Sequence, residues 1–313
     1  WKEINKGLPK LKGKMGIDIS PANPNIVYIA IDAEGDKAGV YRSEDAGESF
    51  TQMTNDATTY ARSWYYMHII ADPIDEDEVW VMNSFAMKSI DGGKTFEGMK
   101  GSHVDHHDLW INPNNNNIMV NANDGGGSVT FNGGETWSTM YNQPTGQFYR
   151  LITDNGYPYR IYSGQQDNST IAIDSRVVDD GIGEMHWDVM RAGESSTVAV
   201  DPDNPRFVYS TYFASNFVEW DRDIDNTRTV MPYPTRVTGE QPKNLKYRAN
   251  WNGPVIVSPH NPNVIYYGSQ YVMKSADRGV TWQVLSEDLT RNDKEHQGKG
   301  GEPISNEQIT AES

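Results

Sequence analysis

The stretch Ser43-Glu-Asp-Ala-Gly-Glu-Ser-Phe50 decides the fold, because close copies of it return along the chain. Their shared pattern is Ser/Thr-x-Asp/Asn-x-Gly-x-Ser/Thr-Phe/Trp, which we call the Asp box. In such a stretch the Asp and Ser side chains can bond backbone N–H groups across a hairpin turn, and Gly accepts a positive φ. Each box therefore predicts a tight turn whose final aromatic residue packs between sheets. The other copies are Ser89–Phe96, Thr130–Trp137 (with Asn132 in place of Asp) and Ser275–Trp282.

A second turn, marked by proline, alternates with the Asp boxes. The average spacing of these turns is about 48 residues, which lies in the range of four-stranded propeller blades. Each repeat thus reads as strand A, proline turn, strand B, loop, strand C, Asp box and strand D. The turns contain Pro21, Pro73, Pro113, Pro202 and Pro259, and Asn155 takes the place of proline in a degenerate copy.

The sequence therefore predicts an all-β fold, a β-propeller of four-stranded Asp-box blades. Two blades lack a recognisable box and carry Ile173-Asp174 and Trp220-Asp221 instead. Trp1 has the position of a last box residue and Ile309–Ser313 that of a new strand A, so we expect both termini to lie inside repeats of a longer parent chain with further domains. We expect one propeller segment over residues 1–313, with blades that start near residues 15, 65, 106, 148, 195 and 253.

Composition excludes several kinds of function. The formal net charge is -16 and no cluster of Lys and Arg is present, so a nucleic acid is not an expected partner. The chain has no cysteine, which excludes disulfides, thiolate nucleophiles and Cys-ligated metals. No apolar run approaches the roughly 18 residues of a membrane span, so we expect no span in this segment.

The direction of the strands alternates, so the proline turns and Asp boxes share one side of a blade. The B–C and D–A loops share the other side, and we call them the mouth-side loops. They carry the unusual polar residues, which predicts a polar central mouth as the binding region. Aligned strands A place His68, Asp108 and Arg150 at one position, together with Gly16, Thr197 and Pro254. The next position is apolar and is expected in the core: Ile17, Ile69, Leu109, Val198 and Val255.

Several polar stretches of the chain carry a resemblance to a known family. They are Asp105–Trp110, Asn123–Gly126, Asn142–Arg150, Gln165–Thr170 and Asn250–Pro254. Over nearly all of its length the chain resembles the sortilin-like, BNR-repeat "glycosyl hydrolase-like" β-propeller proteins of Bacteroidota and related bacteria. The resemblance implies a much longer parent protein and an extracytoplasmic location, either secreted, periplasmic or associated with the outer membrane. It assigns no reaction.

The leading functional prediction is a ligand- or partner-binding module. Aromatic faces and amide, imidazole and guanidinium groups on the mouth-side loops suit a glycan, a peptide or a protein. Tyr65 offers one further stacking face. The candidate ligand-binding residues are His68, His106, Gln147, Tyr149, Arg150, Gln165, Gln166, Asn168, Arg191, Trp251 and Asn252.

Two stretches are candidates for a divalent metal ion. His103, Asp105 and His107 alternate along an extended segment and could ligate Zn²⁺ or another divalent ion. The alternative is a hydrogen-bonded cluster that braces the mouth. Asp221-Arg-Asp-Ile-Asp225 has the start of a Ca²⁺ loop, but Asn226 and Pro232 stand where that loop needs Gly and Glu. We therefore expect an acidic hairpin tip there.

The alternative functional prediction is a glycoside hydrolase that acts on a polysaccharide. Such an enzyme needs two carboxylates that flank the scissile bond, one of them protonated. A sialidase would instead need an arginine triad, which the sequence does not identify. The candidate catalytic carboxylates on the mouth side are Asp108, Asp124, Asp167 and Glu194.

Overall fold

β-Strands make up nearly all of the regular structure that the computed structural model describes. It describes residues 2–63, 65–101, 103–143, 145–178, 180–190, 192–194, 196–213, 216–235, 237 and 240–298. In these ranges there is no α-helix, only short 3-10 turns, and hence no helix long and apolar enough to cross a membrane. The predictions made for Trp1, Arg191 and Ile309–Ser313 lie outside the described residues.

The described residues form two compact units, each of which contains three sheets. Unit 1 comprises the described residues up to Thr145, and its sheets are blades 1 to 3. Blades 1 and 2 have four strands and blade 3 has three. The strands are β1 Lys12–Ile19, β2 Val27–Ala33, β3 Gly39–Ser43 and β4 Thr51–Thr54; β5 His68–Ala71, β6 Val79–Met82, β7 Ala86–Ser89 and β8 Glu97–Gly98; and β9 His106–Ile111, β10 Met119–Asn123 and β11 Gly126–Thr130.

Unit 2 comprises the described residues from Gly146 to Gly298, and its sheets are blades 4 to 6. All three are four-stranded. The strands are β12 Phe148–Thr153, β13 Arg160–Gln165, β14 Thr170–Asp174 and β15 Trp187–Met190; β16 Thr197–Val200, β17 Phe207–Tyr212, β18 Asn216–Asp221 and β19 Asn226–Thr229; and β20 Val255–Ser258, β21 Asn261–Gly268, β22 Val272–Ser275 and β23 Gln283–Val284.

Within every blade the strands pair antiparallel in chain order. The proline turn, or its degenerate copy in blade 4, joins the first two strands. In blades 1, 2, 3 and 6 the Asp box follows the third strand, as the repeat predicts. The all-β prediction and the β-propeller class are confirmed, and the observed strands A begin within a few residues of the predicted blade starts. That residues 1–313 form one propeller segment stays a prediction.

The four Asp boxes share one turn geometry. In the first box the Ser43 Oγ accepts the N–H of Gly47 at 2.9 Å, and the Asp45 Oδ1 accepts the N–H of Ser49 at 2.8 Å. The two residues at box positions four and five have positive φ in every copy, as in Ala46 at 58° and Gly47 at 88°. The aromatic residue of each box packs into a core cluster, as predicted for Phe50.

The core lies between neighbouring blades of a unit. Ile69, Leu109, Val198 and Val255 are buried as predicted, each against side chains of the preceding blade of its unit. The prediction for Ile17 is wrong, because its side chain is 64% exposed. This position packs on the preceding blade, and blade 1 has no preceding blade among the described residues of unit 1.

Candidate functional site

In unit 1 the mouth-side loops bring a carboxylate, a guanidinium and two tyrosines together. Asp105 has φ of 59°, and its N–H donates to the Ser84 carbonyl at 3.1 Å, which fixes the loop before β9. The Asp105 carboxylate pairs with the Arg62 guanidinium and accepts the Tyr66 hydroxyl at 3.1 Å. Arg62 also lies over the ring of Tyr65, 5.7 Å from its centroid.

The charges in this cluster shift the pKa values of its members. Burial and the neighbouring Asp105 carboxylate raise the pKa of the Tyr66 phenol far above its usual range. Burial alone would lower the pKa of Arg62, but the hydrogen bond and charge of Asp105 outweigh it and raise that pKa. The cluster therefore holds a neutral phenol and a fixed guanidinium beside the Asp105 carboxylate at neutral pH.

His107 extends the cluster toward the turn between β10 and β11. Its ring stacks on Tyr66 with 4.6 Å between centroids, and its Nε2 lies 2.7 Å from the Asp124 Oδ1. The N–H of Asp124 donates to the Asp105 carbonyl at 3.2 Å, so the two acidic residues are neighbours. Carboxylate oxygens of Asp105 and Asp124 lie within 4.8 Å of each other. We call Arg62, Tyr66, Asp105, His107 and Asp124 the unit 1 cluster.

His106, predicted to contact a ligand, is buried beside Asn121. Its side chain is buried, and its Nδ1 lies 2.9 Å from the Asn121 Oδ1. Burial lowers the pKa of the imidazole, which favours its neutral form. The Asn123 amide donates to the same Asn121 oxygen at 3.0 Å, and its own oxygen accepts the N–H of Gly125 at 2.9 Å. β9 turns the His106 side chain inward, and its contact with a ligand stays a prediction.

The predicted metal triad is not assembled. The ligand atoms of His103, Asp105 and His107 do not all lie within 4.8 Å of one another. The Asp105 carboxylate is held by Arg62, and the His107 Nε2 faces a different carboxylate, that of Asp124. Hydrogen bonding and stacking therefore account for these side chains, which matches the alternative of a cluster that braces the mouth.

In unit 2 one glutamine joins the polar groups of the mouth-side loops. The Gln166 Nε2 donates to Asp167 at 2.8 Å and to Glu194 at 3.0 Å, and the Tyr149 hydroxyl donates to the Gln166 Oε1. The backbone N–H of Asp167 also donates to Glu194 at 2.9 Å. The structure thus brings together four residues that the sequence predicted separately.

An aromatic pair lies farther along the same side of unit 2. The rings of Phe213 and Trp251 have centroids 5.0 Å apart at an interplanar angle of 52°, and both side chains are partly exposed. The backbone of Phe213 has φ of 47°, an outlier for a bulky residue. The sequence identified Trp251 but not Phe213, because no motif marks the loop after β17.

The other candidate residues are spread over the two units. His68, Asp108 and Arg150 lie on the strands A of blades 2, 3 and 4 with exposed side chains. Asp108 accepts the backbone N–H of Leu109 at 2.9 Å. The mouth-side loops of unit 2 also hold Gln147, Asn168 and Asn252, of which Gln147 and Asn168 are exposed, and Gln165 is the last residue of β13.

The acidic segment of blade 5 is a hairpin tip, as expected. Arg206 bonds the Asp221 carboxylate at 3.0 and 2.9 Å and lies 3.2 Å from Asp223. The Asp225 carboxylate accepts the Trp220 indole N–H at 3.0 Å. No three acidic or histidine ligand atoms of this segment cluster within 4.8 Å among the described residues.

Two grooves lie away from the mouth-side loops. One of about 460 Å³ in unit 1 is lined by residues that include Trp80, Lys88 and Gly134. Another of about 530 Å³ in unit 2 is lined by residues that include Arg206 and Trp220. Neither groove contains one of the candidate ligand-binding residues of the mouth-side loops.

The fold and these loops define a β-propeller protein with polar mouth-side loops. No protein-family model matches the sequence, and no curated protein matches it. The chain is similar to the GH74 xyloglucanase from Xanthomonas campestris, at 17% identity and a TM-score of 0.34, over 90% of this chain and 46% of that one. It is also similar to the GH74 enzyme from Niastella koreensis, at 19% identity and a TM-score of 0.32, over 89% of this chain and 46% of that one. A third similar structure is YCF48 from Cyanidioschyzon merolae, at 16% identity and a TM-score of 0.32, over 90% of this chain and 87% of that one. The chain spans less than half the length of the two GH74 enzymes.

Proposed function

We propose that the chain is a non-catalytic propeller module that binds a glycan, peptide or protein ligand through its mouth-side loops. The observation that carries the proposal is that carboxylates on these loops are held by groups of the chain itself. In the unit 1 cluster Asp105 pairs with Arg62, and Asp124 with His107. Glycoside hydrolysis needs a protonated carboxylic acid beside a second carboxylate that acts as base or nucleophile. Carboxylates that are already paired with cationic or imidazole groups instead form a preorganised surface for binding a ligand.

The proposal includes the family and the location. The Asp boxes and the polar stretches named above support a sortilin-like, BNR-repeat propeller of a Bacteroidota-type bacterium. Such a protein would be secreted, periplasmic or associated with the outer membrane. In that setting a preorganised polar surface would meet extracellular glycans, peptides and proteins.

A binding experiment tests the proposal. The purified chain is applied to a glycan array and to a peptide array, and hits are quantified by calorimetry. Tyr65→Ala and His107→Ala should weaken binding to a hit by at least about fivefold, since each removes contact area or a fixed polar group. Phe131→Ala is the matched control, because Phe131 is 74% exposed but lies in an Asp box. Hits that no mouth-side substitution weakens would contradict the proposal.

A glycoside hydrolase is the second candidate, and one observation favours it. Oxygens of Asp105 and Asp124 lie no more than 4.8 Å apart, and retaining enzymes use two neighbouring carboxyl groups as acid and nucleophile. Asp124→Asn and Asp105→Asn should then each abolish the release of reducing ends from a polysaccharide. Release by the wild-type chain, lost in both variants, would replace the binding proposal with this one.

A further inference from the structure

A continuous line of contacts crosses the mouth-side loops of unit 2. It begins at the Tyr149–Gln166–Glu194 hydrogen bonds of blade 4. Gly193, next to Glu194, lies so close to Tyr212 that a Cβ on it would be 2.2 Å from the tyrosine ring. Tyr212 precedes Phe213, whose ring packs on Trp251. We call Tyr149, Gln166, Asp167, Glu194, Phe213 and Trp251 the unit 2 strip.

The scaffold of unit 2 anchors both ends of the strip. The Thr170 hydroxyl donates to the Gly193 carbonyl at 2.8 Å and so holds the loop that carries Glu194. The loop of Trp251 is held by the Thr197 hydroxyl, which donates to the Asn252 carbonyl at 3.3 Å. The strip is therefore a fixed surface that spans loops of blades 4, 5 and 6.

We infer that the unit 2 strip binds an uncharged, hydroxyl-rich oligosaccharide that lies along it. This inference rests on the proposed function and specifies its ligand. A partly exposed aromatic pair offers an apolar face on which the C–H side of a sugar ring can stack. The other end of the strip offers the Gln166 amide oxygen and the carboxylates of Asp167 and Glu194, which can accept hydrogen bonds from the hydroxyl groups around a sugar.

The carboxylates decide which sugars fit. A carboxylate only accepts hydrogen bonds, so ligand groups near Asp167 and Glu194 have to donate them. Sugar hydroxyls donate, whereas the ionised carboxylate of a uronic or sialic acid is itself only an acceptor and cannot donate to either side chain. The net charge of -16 also repels an acidic sugar at long range. The strip thus selects neutral sugars over acidic ones.

A peptide fits the strip less well than a sugar. Peptides that bind sheets commonly add a strand to an open edge. On this side of blade 4 the backbone is already paired, because the N–H of Gln166 donates to the Gln147 carbonyl at 2.9 Å. The N–H of Gln165 donates to the Ser169 carbonyl at 3.3 Å. Recognition at the strip therefore depends on side chains, which favours a ligand with many hydroxyl groups.

Calorimetric titrations of the full chain with defined probes test the inference. The neutral probes are the hexaoses of cellulose, mannan, laminarin and xylan, the acidic probe is hexagalacturonate, and the cationic probe is hexalysine. At least one neutral hexaose should bind, with an affinity at least about tenfold above that of hexagalacturonate. Binding should also quench or shift the tryptophan fluorescence, which Trp251→Ala would remove.

Substitutions locate the binding. Trp251→Ala and Glu194→Gln should each lower the affinity for the neutral hexaose by at least about fivefold. Trp110→Ala is the matched control, because Trp110 is 53% exposed on blade 3 and lies outside the strip. Phe213→Leu keeps an apolar side chain and should lower the affinity less than Trp251→Ala does. This milder variant tests the strip even if Trp251→Ala disturbs folding.

The outcomes separate this inference from the proposed function. Equal binding of hexagalacturonate and the neutral hexaoses would overturn the inference. The inference would also be overturned if no hexaose binds while hexalysine or an array peptide binds and this binding depends on Trp251. The proposed binding function would then still stand. Hexaose binding that the strip variants leave unchanged would also overturn the inference, and the unit 1 variants would then decide the proposed function.

Discussion

The ammonium group of Lys88 donates a hydrogen bond to the Gly133 carbonyl at 3.3 Å and thereby joins blade 2 to the Asp box of blade 3. The same ammonium lies 2.8 Å from the carboxylate of Glu78, which is buried, and 5.3 Å from the centre of the Trp80 ring. In unit 2 the Arg228 guanidinium likewise donates to the Arg278 carbonyl at the same box position. The Asp boxes of blades 3 and 6 thus each accept a hydrogen bond from a cation of the preceding blade.

Lys88→Met should therefore destabilise the chain. The substitution leaves the Glu78 carboxylate buried without its cation, which costs about 2–3 kcal/mol of the free energy of unfolding. Urea unfolding followed by tryptophan fluorescence measures this loss. Lys94→Met is the control, since Lys94 is exposed. If both variants unfold at the wild-type urea concentration, the contact does not stabilise the blades.

The Asp boxes should make stability depend on pH in acid. The Ser49 hydroxyl and N–H and the Ser43 hydroxyl lower the pKa of Asp45 from 3.8 to about 2. Because the folded-state pKa lies below the unfolded-state value, this contribution is complete above about pH 4 and is lost as the pH falls toward 2. Asp45→Asn should flatten the fall of the melting temperature over that window.

Asn132→Asp is the converse variant for the acid prediction. Asn132 holds the Asp position in the third box and accepts the Thr136 N–H at 3.0 Å. An aspartate there should steepen the fall in melting temperature between pH 4 and 2, because one more box would then titrate. Parallel curves for the wild type and both variants would show that the boxes do not control acid stability.

Gly16→Ala should destabilise unit 1 by about 1–3 kcal/mol, the usual range for overpacking. A Cβ on Gly16 would lie 2.9 Å from the Met67 carbonyl oxygen and 3.3 Å from the Ile69 nitrogen, both of which are backbone atoms. Gly98→Ala is the matched control, because its Cβ would meet only the Met87 sulfur at 3.8 Å. Thermal unfolding of the two variants compares them directly, and equal melting temperatures would contradict the close approach of β1 and β5.

Arg62→Met should destabilise the chain more than Tyr66→Phe. Arg62→Met leaves the Asp105 carboxylate without its cation, which should lower the free energy of unfolding by about 2–3 kcal/mol. Tyr66→Phe removes one hydrogen bond, which should lower it by about 1–2 kcal/mol. Urea unfolding gives both values. Arg291→Met, at an exposed arginine, should have no measurable effect. A larger loss for Tyr66→Phe than for Arg62→Met would show that the ion pair is not the main support of the loop.

The local parts of this fold were predictable from the sequence, and the long-range parts were not. The Asp boxes were predicted because the bonds that form them, such as Ser43 to Gly47, join residues four apart. Ile17 was assigned to the core because its pattern matches that of Ile69, but its burial depends on whether a preceding blade covers it. No local pattern reports that neighbour.

The candidate site shows the same division. The sequence identified Asp105 and His107 either as metal ligands or as members of a hydrogen-bonded cluster. It did not identify the partner of Asp105, because that partner, Arg62, lies 43 residues earlier. The aromatic stretch Arg62-Ser-Trp-Tyr-Tyr66 was the available signal. Phe213 was missed because only its contact with Trp251 reveals it. Contacts across loops of different blades therefore determine which polar residues act together.

The fourth position of the Asp box has a consequence for redesign. Its backbone is the same in all four copies, with φ between 58° and 76°, yet it holds Ala46, Gly92, Gly133 or Arg278. Arg278 uses the position to reach Glu219 on the preceding blade, at 2.6 Å. The turn is thus independent of the side chain it displays, so the position is a natural place to engineer new cross-links between blades while the hairpin itself stays intact.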